Sequence, residues 1–277
     1  MELIYIIKEY ELKNQMIKTY VYWHICILNN WMDIVRDQAA HLEAKLDYFD
    51  EIRICVLGDE NAIPLIMDLL SGKVILRGHD TEINKFEAFT LEALLEDAKK
   101  EDFKCIYLHN KGTTQQGNKC ANNVNRWRKM MEFFLIDNCE KCIPLLEYYD
   151  TLGCNLLDKG NISGETVRFA DEIHSLHYSG NFWWARSDYI SRLPPFPVGL
   201  EMDKNNNYWI CERWVLQQAP NIRLCTLYSE KYKHFYTRHP NPGYNNHVGT
   251  YSAVGDSVKI EIRWNKEVFK SYQSSSL

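Results

Sequence analysis

The segment KCIYLHN (104–110), followed at once by Lys111-Gly112-Thr113-Thr114, decides the fold class of this 277-residue chain. An apolar run with a polar, glycine-containing exit is typical of a buried strand that ends at a sheet edge. Upstream of it, strand-like and helical patterns alternate. They predict strands over 19–29, 52–58 and 73–78 and helices over 32–46, 60–70 and 86–100. This alternation predicts an α/β fold, with a mostly parallel sheet flanked by helices.

The second half of the chain is less regular. It predicts two consecutive helices over 124–150, a short strand over 150–156, a strand that enters a helix over 179–194, and a helix over 208–219. No long linker and no internal repeat interrupts the chain. A single domain over 1–277 is therefore the simplest interpretation.

Composition and charge narrow the class of protein. The net charge is -5, and no long run of Lys or Arg is present, which argues against nucleic acid as a partner. Eight Trp, 17 Tyr and 11 Phe fit either a well-filled core or a site that stacks on flat ligands. No apolar stretch is long enough to span a membrane, and the first residues make a poor signal peptide, so a cytoplasmic protein is expected.

Nine cysteines, an odd number, lie mostly inside apolar runs, which is typical of reduced, buried thiols. Cys139 and Cys142 form a lone CxxC. A structural zinc site would need a second pair at suitable spacing, so a helix-borne pair of thiols is the favoured interpretation.

The exit of the 104–110 strand carries the first candidate ligand-binding residues. His109 and Lys111 should share a face of the strand, with Asn110 between them. Lys111 suits a phosphate, and Gly112 allows a backbone to approach closely. An ordinary strand end with solvated polar residues fits the same pattern.

Two arginines follow at the start of the next predicted helix, Arg126 and Arg128. Near a nucleotide diphosphate they would supply positive charge without making the whole protein basic. A solvated helix face explains them equally well.

The segment HYSGNFWWA (177–185) holds the densest constellation of polar and aromatic residues. Sugars are recognised by polar groups beside aromatic faces, so this segment favours a sugar-binding pocket over simple packing. The residues expected to line that pocket are His177, Ser179, Gly180, Asn181, Trp183 and Trp184.

Glu212 lies in the aromatic segment WICERW (209–214), where a carboxylate can serve as a general base. A surface pair with Arg213 is the alternative. Glu201 and Asp203 are further candidate carboxylates. The segment His234 to His239 is a candidate to close over a diphosphate, and a surface position explains it equally well.

The ordered motifs YxHxCxxNNW, FExxTLxxL, YLHNKG, WR, DTxGxN, HYSGNFWWAxSxYIxxLP and ERW cover about residues 19–215. In this order they resemble a family of uncharacterised glycosyltransferase-like proteins of bacteria, protists and large viruses. They are more loosely similar to the rhamnan-synthesis protein F type. The HYSGNFWWA block is the most specific part.

The resemblance implies a GT-A-like, Rossmann-like domain that takes part in polysaccharide biosynthesis. It implies a nucleotide-binding half over 19–115, an acceptor-binding half over 116–240 and a C-terminal extension over 241–277. The donor would be a UDP-, GDP- or dTDP-linked sugar, the acceptor a glycan or a lipid-linked hydroxyl, and Glu212 the catalytic carboxylate.

The resemblance also raises the question of a metal. The GT-A fold usually carries an Asp-x-Asp after its fourth strand, which holds Mn²⁺ or Mg²⁺ on the donor diphosphate. Here His109-Asn110-Lys111 stands in that place. Either Lys111 supplies the charge directly or His109 is a metal ligand, so metal use stays open at this point.

Two other functions compete with the transferase. The missing Asp-x-Asp favours a non-catalytic carbohydrate- or nucleotide-binding protein on the same fold. A hydrolase or phosphate-handling enzyme would predict a GxSxG or GxxxxGK[ST] motif, and the sequence contains neither.

Overall fold

A computed structural model describes residues 17–157, 176–196, 208–216, 222–228, 249–250 and 263–264. Its first half alternates strands and helices as predicted. The elements are β1 (Lys18–Cys26), α1 (Trp31–Glu43), β2 (Glu51–Leu57), α2 (Ala62–Met67), β3 (Val74–Asp80), α3 (Ala88–Ala98) and β4 (Phe103–His109). Short 3₁₀ turns lie at Leu46–Tyr48, Ile83–Lys85 and Thr113–Gln115.

The second half supplies the remaining elements. They are α4 (Ala121–Glu132), a π-helical segment (Phe133–Asp137), α5 (Cys139–Leu145), β5 (Thr151–Gly153), β6 (Leu156–Leu157), β7 (His177–Tyr178), β8 (Trp183–Arg186), α6 (Ser187–Ile190), α7 (Tyr208–Trp214), β9 (Leu224–Thr226), β10 (Gly249–Thr250) and β11 (Arg263–Trp264). Glu201 and Asp203 lie outside the described residues, as does the segment 234–239.

One sheet runs through both halves of the chain, in the order β11-β10-β9-β5-β8-β4-β1-β2-β3. From β3 to β9, every strand except β8 points the same way, because β8 pairs antiparallel with both β4 and β5. The predicted α/β fold with a mostly parallel sheet is therefore confirmed. The carboxyl ends of β1 and β4 are adjacent, since His24 and His109 are register partners.

Apolar side chains bury both faces of the sheet. The larger core cluster contains Trp23, Ile106 and Trp184, whereas the second contains Tyr22, Tyr107 and Trp183. Neighbouring residues of one strand enter different clusters because side chains alternate across a strand. With both faces covered, the polar ends of the strands are left as the place where ligand-binding groups can collect.

All nine cysteines are free thiols, and seven of them are buried, as their apolar surroundings predicted. Among the residues that the structure describes, no helix has the length and apolar character needed to cross a membrane.

Candidate active site

A cleft of about 600 Å³ opens at the carboxyl ends of β1 and β4. We call it the main cleft. Its walls are the ends of these two strands, the turn over 83–87, the loop over 110–115, and Cys211 and Glu212 of α7. Ligands of open α/β sheets bind at this edge, where the loops after the strands converge. His109, Asn110, Lys111 and Glu212, which are far apart in sequence, all line this one cleft.

Lys111 is the cation of the main cleft. The residue is 7% exposed, and its Nζ lies 4.0 Å from the centroid of the Trp127 ring, a cation–π contact. Within the part of the chain that the structure describes, no carboxylate lies within ion-pair distance of this ammonium. A buried charge without a counter-charge is costly, so Lys111 favours an anionic ligand in the cleft.

His109 is held in one tautomer. Its Nε2 lies 3.0 Å from the carbonyl oxygen of Gly180, and a carbonyl only accepts, so Nε2 carries the proton. Its Nδ1 then presents a lone pair, 3.7 Å from Oε1 of Glu87. Burial and, secondly, the Lys111 ammonium lower the pKa of His109 to about 3, which keeps the ring neutral.

Asn110 has a structural role. Its Oδ1 accepts a hydrogen bond from the backbone N–H of Cys26 at 3.0 Å, and its Nδ2 donates to the carbonyl of the same residue at 2.8 Å. Both ends of the amide are used to clamp the loop after β4 to the end of β1. Asn110 also borders the cleft, and its role in donor binding stays a prediction.

Glu87 is a residue of the main cleft that the sequence pattern did not single out. Its Oε2 accepts hydrogen bonds from the hydroxyl of Tyr107 at 2.8 Å and from the amide of Asn181. The preceding residue, Phe86, has a φ of 49°, which is unfavourable for an aromatic residue. Such strain persists only where surrounding contacts impose it, and here it brings the start of α3 to the cleft. In the sequence, the Phe86-Glu87 pair that begins the FExxTLxxL motif was the signal that could have identified Glu87.

His24 is the second residue that pattern reasoning passed over. It lies beside His109 on the neighbouring strand, and its Nδ1 is 2.7 Å from the hydroxyl of Thr90. Burial lowers the pKa of His24 to about 4. The floor of the cleft thus carries two neutral imidazoles. The period-two pattern of YVYWHIC contained the signal, because it places His24 on the same face as Tyr20 and Tyr22.

The HYSGNFWWA segment lies behind the cleft, as a supporting layer. The carbonyl of Gly180 accepts a hydrogen bond from His109. The side chain of Asn181 donates to Glu87 through its nitrogen, and its oxygen accepts the Nε1–H of Trp183 at 2.9 Å. Ser179 donates its backbone N–H to the carbonyl of Asn155 at 3.0 Å. His177 is buried in β7, and neither His177 nor Ser179 lines the cleft.

Trp183 and Trp184 correct the expectation of an aromatic sugar platform. Both are fully buried. Trp183 stacks on Tyr107, whereas Trp184 stacks on Phe49 and donates its Nε1–H to the carbonyl of Leu135 at 2.8 Å. Neither ring has a face open to a ligand, because both side chains are fully buried.

The two arginines also differ from expectation. Arg126 is exposed and does not line the cleft. Arg128 is buried, and its guanidinium donates to Glu132 at 2.5 Å and to Asp37 and Asn125 at 2.7 Å each. It lines a second cleft of about 410 Å³, the side cleft, which shares Lys111 and Gly112 with the main cleft. Because protein groups hold both terminal nitrogens and the residue does not line the main cleft, Arg128 is corrected from a donor-binding to a structural residue.

The described residues at the end of β4 do not fit the divalent metal that a GT-A fold implies. The amide of Asn110 is used by Cys26, Lys111 is a cation, and the Nε2 of His109 is used by Gly180, so these three residues leave one metal-ligand atom, the Nδ1 of His109. Among the described residues, no set of three His, Cys, Asp or Glu ligand atoms converges in the main cleft. Glu87 and Glu212 are its two described carboxylates.

These features define an α/β protein with a candidate ligand site at the carboxyl edge of its sheet. A family model described as a domain of unknown function, DUF8361, matches residues 22–221. Since this match covers well over half of the sequence, the chain belongs to that family. No curated protein matches the sequence.

Two solved structures resemble the chain weakly. The first is 4-diphosphocytidyl-2C-methyl-D-erythritol synthase from Anaerococcus prevotii, at 13% identity, with 79% of this chain and 89% of that chain covered and a TM-score of 0.41. The second is HddC from Yersinia pseudotuberculosis, at 12% identity, with 68% and 85% covered and a TM-score of 0.37. Likeness at this level does not transfer an activity.

Proposed function

We propose that this chain is a glycosyltransferase, which moves a sugar from a nucleotide-sugar donor to a hydroxyl of a glycan or lipid-linked acceptor. The observation that carries the proposal is the buried ammonium of Lys111, which has no described carboxylate partner, at the edge of the sheet where ligands bind. The donor diphosphate supplies the missing negative charge. The motif order quoted above supports a sugar nucleotide over other anions.

The contacts around His109 also suit a sugar. The Nδ1 of His109 and the Oε1 of Glu87 face each other across 3.7 Å, and both accept hydrogen bonds. Because both atoms accept, the pair suits a ligand with neighbouring hydroxyl groups, each of which donates one hydrogen bond. Glu87 and His109 are both held by other protein groups, so this pair is already oriented before a ligand binds.

Glu212 is the proposed general base. It is partly exposed to the cleft, and its charge acts on the His109 imidazole, so it lies within electrostatic range of that ring. In the reaction its carboxylate takes the proton of the acceptor hydroxyl. The acceptor oxygen bonds to the anomeric carbon as the bond from that carbon to the diphosphate oxygen breaks. The nucleoside diphosphate leaves as an anion, and Lys111 stabilises its charge.

This mechanism assigns the charge at the diphosphate to Lys111, since the described residues at the end of β4 do not fit a divalent ion. The same feature favours a second candidate function, a non-catalytic protein that binds a nucleotide or carbohydrate. The two candidates share the donor site and differ only in what Glu212 does.

Nucleotide binding tests the donor site. Thermal shift and calorimetry with UDP, GDP, dTDP and their sugar conjugates should show that at least one raises the Tm, with and without EDTA. K111M should weaken binding about 10- to 100-fold, the loss expected for one charge-assisted contact. K119M, which removes an exposed lysine of the same loop, is the control and should bind normally. Failure of every nucleotide to bind, or equal losses in both variants, would refute the proposal.

A further inference from the structure

A cluster of ionisable groups lies outside the main cleft, where α1 meets the end of α4. Asp37 and His41 are four residues apart on α1, so both side chains project from one face of that helix. Glu132 is the last residue of α4 and faces them. One ligand atom from each of these three residues lies within 4.8 Å of the other two.

His41 is oriented as metal-bound histidines are. Its Nδ1 lies 2.6 Å from Oδ1 of Asp137, which fixes the proton on Nδ1 and leaves the lone pair on Nε2. Nε2 lies 3.9 Å from Oε2 of Glu132. Asp137 reaches His41 from the π-helical segment that follows α4, and such segments are frequent at functional sites.

Glu132 provides independent evidence for a missing ligand. Its side chain is 0% exposed, and its Oε1 accepts from Arg128. Its Oε2, the atom that faces His41, is buried and has no hydrogen-bond partner. Leaving a buried carboxylate oxygen unpaired is costly, so the arrangement calls for a group between Glu132 and His41.

The charges around the cluster favour a cation as that group. Three carboxylates converge on the His41 imidazole, those of Asp37, Glu132 and Asp137. One buried guanidinium, that of Arg128, opposes their charge. Lys129 also approaches Asp37, at 3.7 Å, but it is half exposed and therefore strongly screened. Arg128 contacts Oδ2 of Asp37 and Oε1 of Glu132, so one oxygen of each carboxylate is left for another ligand.

We propose that Asp37, His41 and Glu132 form a divalent-metal site of the Zn²⁺ or Mn²⁺ type, with His41 oriented by Asp137. One imidazole nitrogen with carboxylate oxygens suits these ions better than Ca²⁺ or Mg²⁺, which prefer oxygen alone. The site fastens α1 to α4 beside the side cleft, and it is separate from any metal on a donor diphosphate. It does not depend on the proposed transferase activity.

Metal titration of the full chain tests the site. After EDTA treatment and buffer exchange, Zn²⁺ or Mn²⁺ alone should bind with one-to-one stoichiometry by calorimetry and raise the Tm. Binding of Mn²⁺ should also reduce the signal of the free aqueous ion in electron paramagnetic resonance. H41A, at a partly exposed position that tolerates alanine in a helix, should weaken binding at least about tenfold. E132Q should do the same, provided that circular dichroism shows it folded.

Two controls separate this site from other ligands. D33N removes a neighbouring carboxylate of α1 that lines the side cleft but is outside the cluster, and C120S removes a partly exposed thiol that could capture Zn²⁺. Both should bind metal as the unaltered protein does. No stoichiometric binding of either ion, or undiminished binding by H41A, would overturn the proposal. Loss of Zn²⁺ binding in C120S alone would overturn it as well.

Discussion

The Nε2 of His109 lies 3.0 Å from the carbonyl oxygen of Gly180, a residue 71 positions later in the chain. This contact joins the end of β4 to the segment before β8, and it sets which ring nitrogen of His109 faces the cleft. Gly180 can hold its carbonyl there because its φ is +97°, a conformation that side chains disfavour. The first prediction follows from that geometry.

G180A should destabilise the protein and weaken ligand binding in the main cleft. A Cβ at this position would lie 2.5 Å from the sulfur of Met131 and 3.0 Å from Nε1 of Trp127, the ring that supports Lys111. The unfavourable φ and the overpacking together should cost about 2–4 kcal/mol of unfolding free energy. Chemical denaturation and nucleotide titration measure the two effects.

G117A is the matched control for that prediction. Gly117 also has a positive φ, of 75°, but a Cβ there would contact nothing within 4 Å. G117A should therefore lose about 1 kcal/mol of unfolding free energy, from the unfavourable backbone conformation alone, and its ligand affinity should be unchanged. If G180A were no more destabilising than G117A, the close packing of Gly180 against Met131 and Trp127 would be disproved.

The free energy of unfolding at acidic pH should depend on His24. In the unfolded chain its imidazole takes a proton near pH 6.5, whereas burial lowers its pKa in the folded protein to about 4. Between these values the unfolded state binds more protons, so the free energy of unfolding should fall as the pH falls. The contribution expected from His24 alone is a loss of about 1.4 kcal/mol per pH unit through this window.

H24N tests this assignment, because asparagine cannot take up the proton and can still hydrogen-bond to Thr90. Urea denaturation from pH 7 down to pH 4 should give a shallower loss of stability in H24N than in the unaltered protein. The variant should be less stable at pH 7, since a packed ring is removed. Equal slopes in the two proteins would show that His24 does not titrate as its burial implies.

The sequence predicted the strands and helices of the first half well, for a physical reason. The strand predicted over 104–110 is β4, Phe103–His109, and its helix and strand neighbours also agree within a few residues. These elements are fixed by local periodicity and by apolar runs that both faces of the sheet bury. Such signals are contained in the segment itself.

The site was less predictable, because its contacts cross long stretches of chain. Asn110 forms hydrogen bonds with the backbone of Cys26, which lies 84 positions earlier in the sequence. Nothing near Asn110 in the sequence reveals that pairing. Glu87 reaches His109 only because α3 packs against β1. The aromatic pair Trp183 and Trp184 looked like a sugar platform, but alternation across β8 places one ring in each core cluster.

E212Q, which replaces the carboxylate of Glu212 with an amide, should separate the two candidate functions, a glycosyltransferase and a non-catalytic binding protein. The side chain keeps its size and its place beside the cleft but loses the ability to take a proton from an acceptor hydroxyl. If the chain is a transferase, sugar transfer or donor hydrolysis should fall by about 10²–10⁴-fold. Nucleotide affinity should change little, because the diphosphate is assigned to Lys111.

E92Q is the matched control for E212Q, since Glu92 is an exposed carboxylate on α3 that does not line the main cleft. It should transfer sugar at the normal rate. Activity assays with a panel of sugar nucleotides, each followed by detection of the released nucleoside diphosphate, give the comparison. A protein that binds a nucleotide but shows no turnover with any donor would be the non-catalytic binding protein. Undiminished turnover in E212Q would instead remove Glu212 from the role of base, and Glu87 would be the described carboxylate of the main cleft left to test.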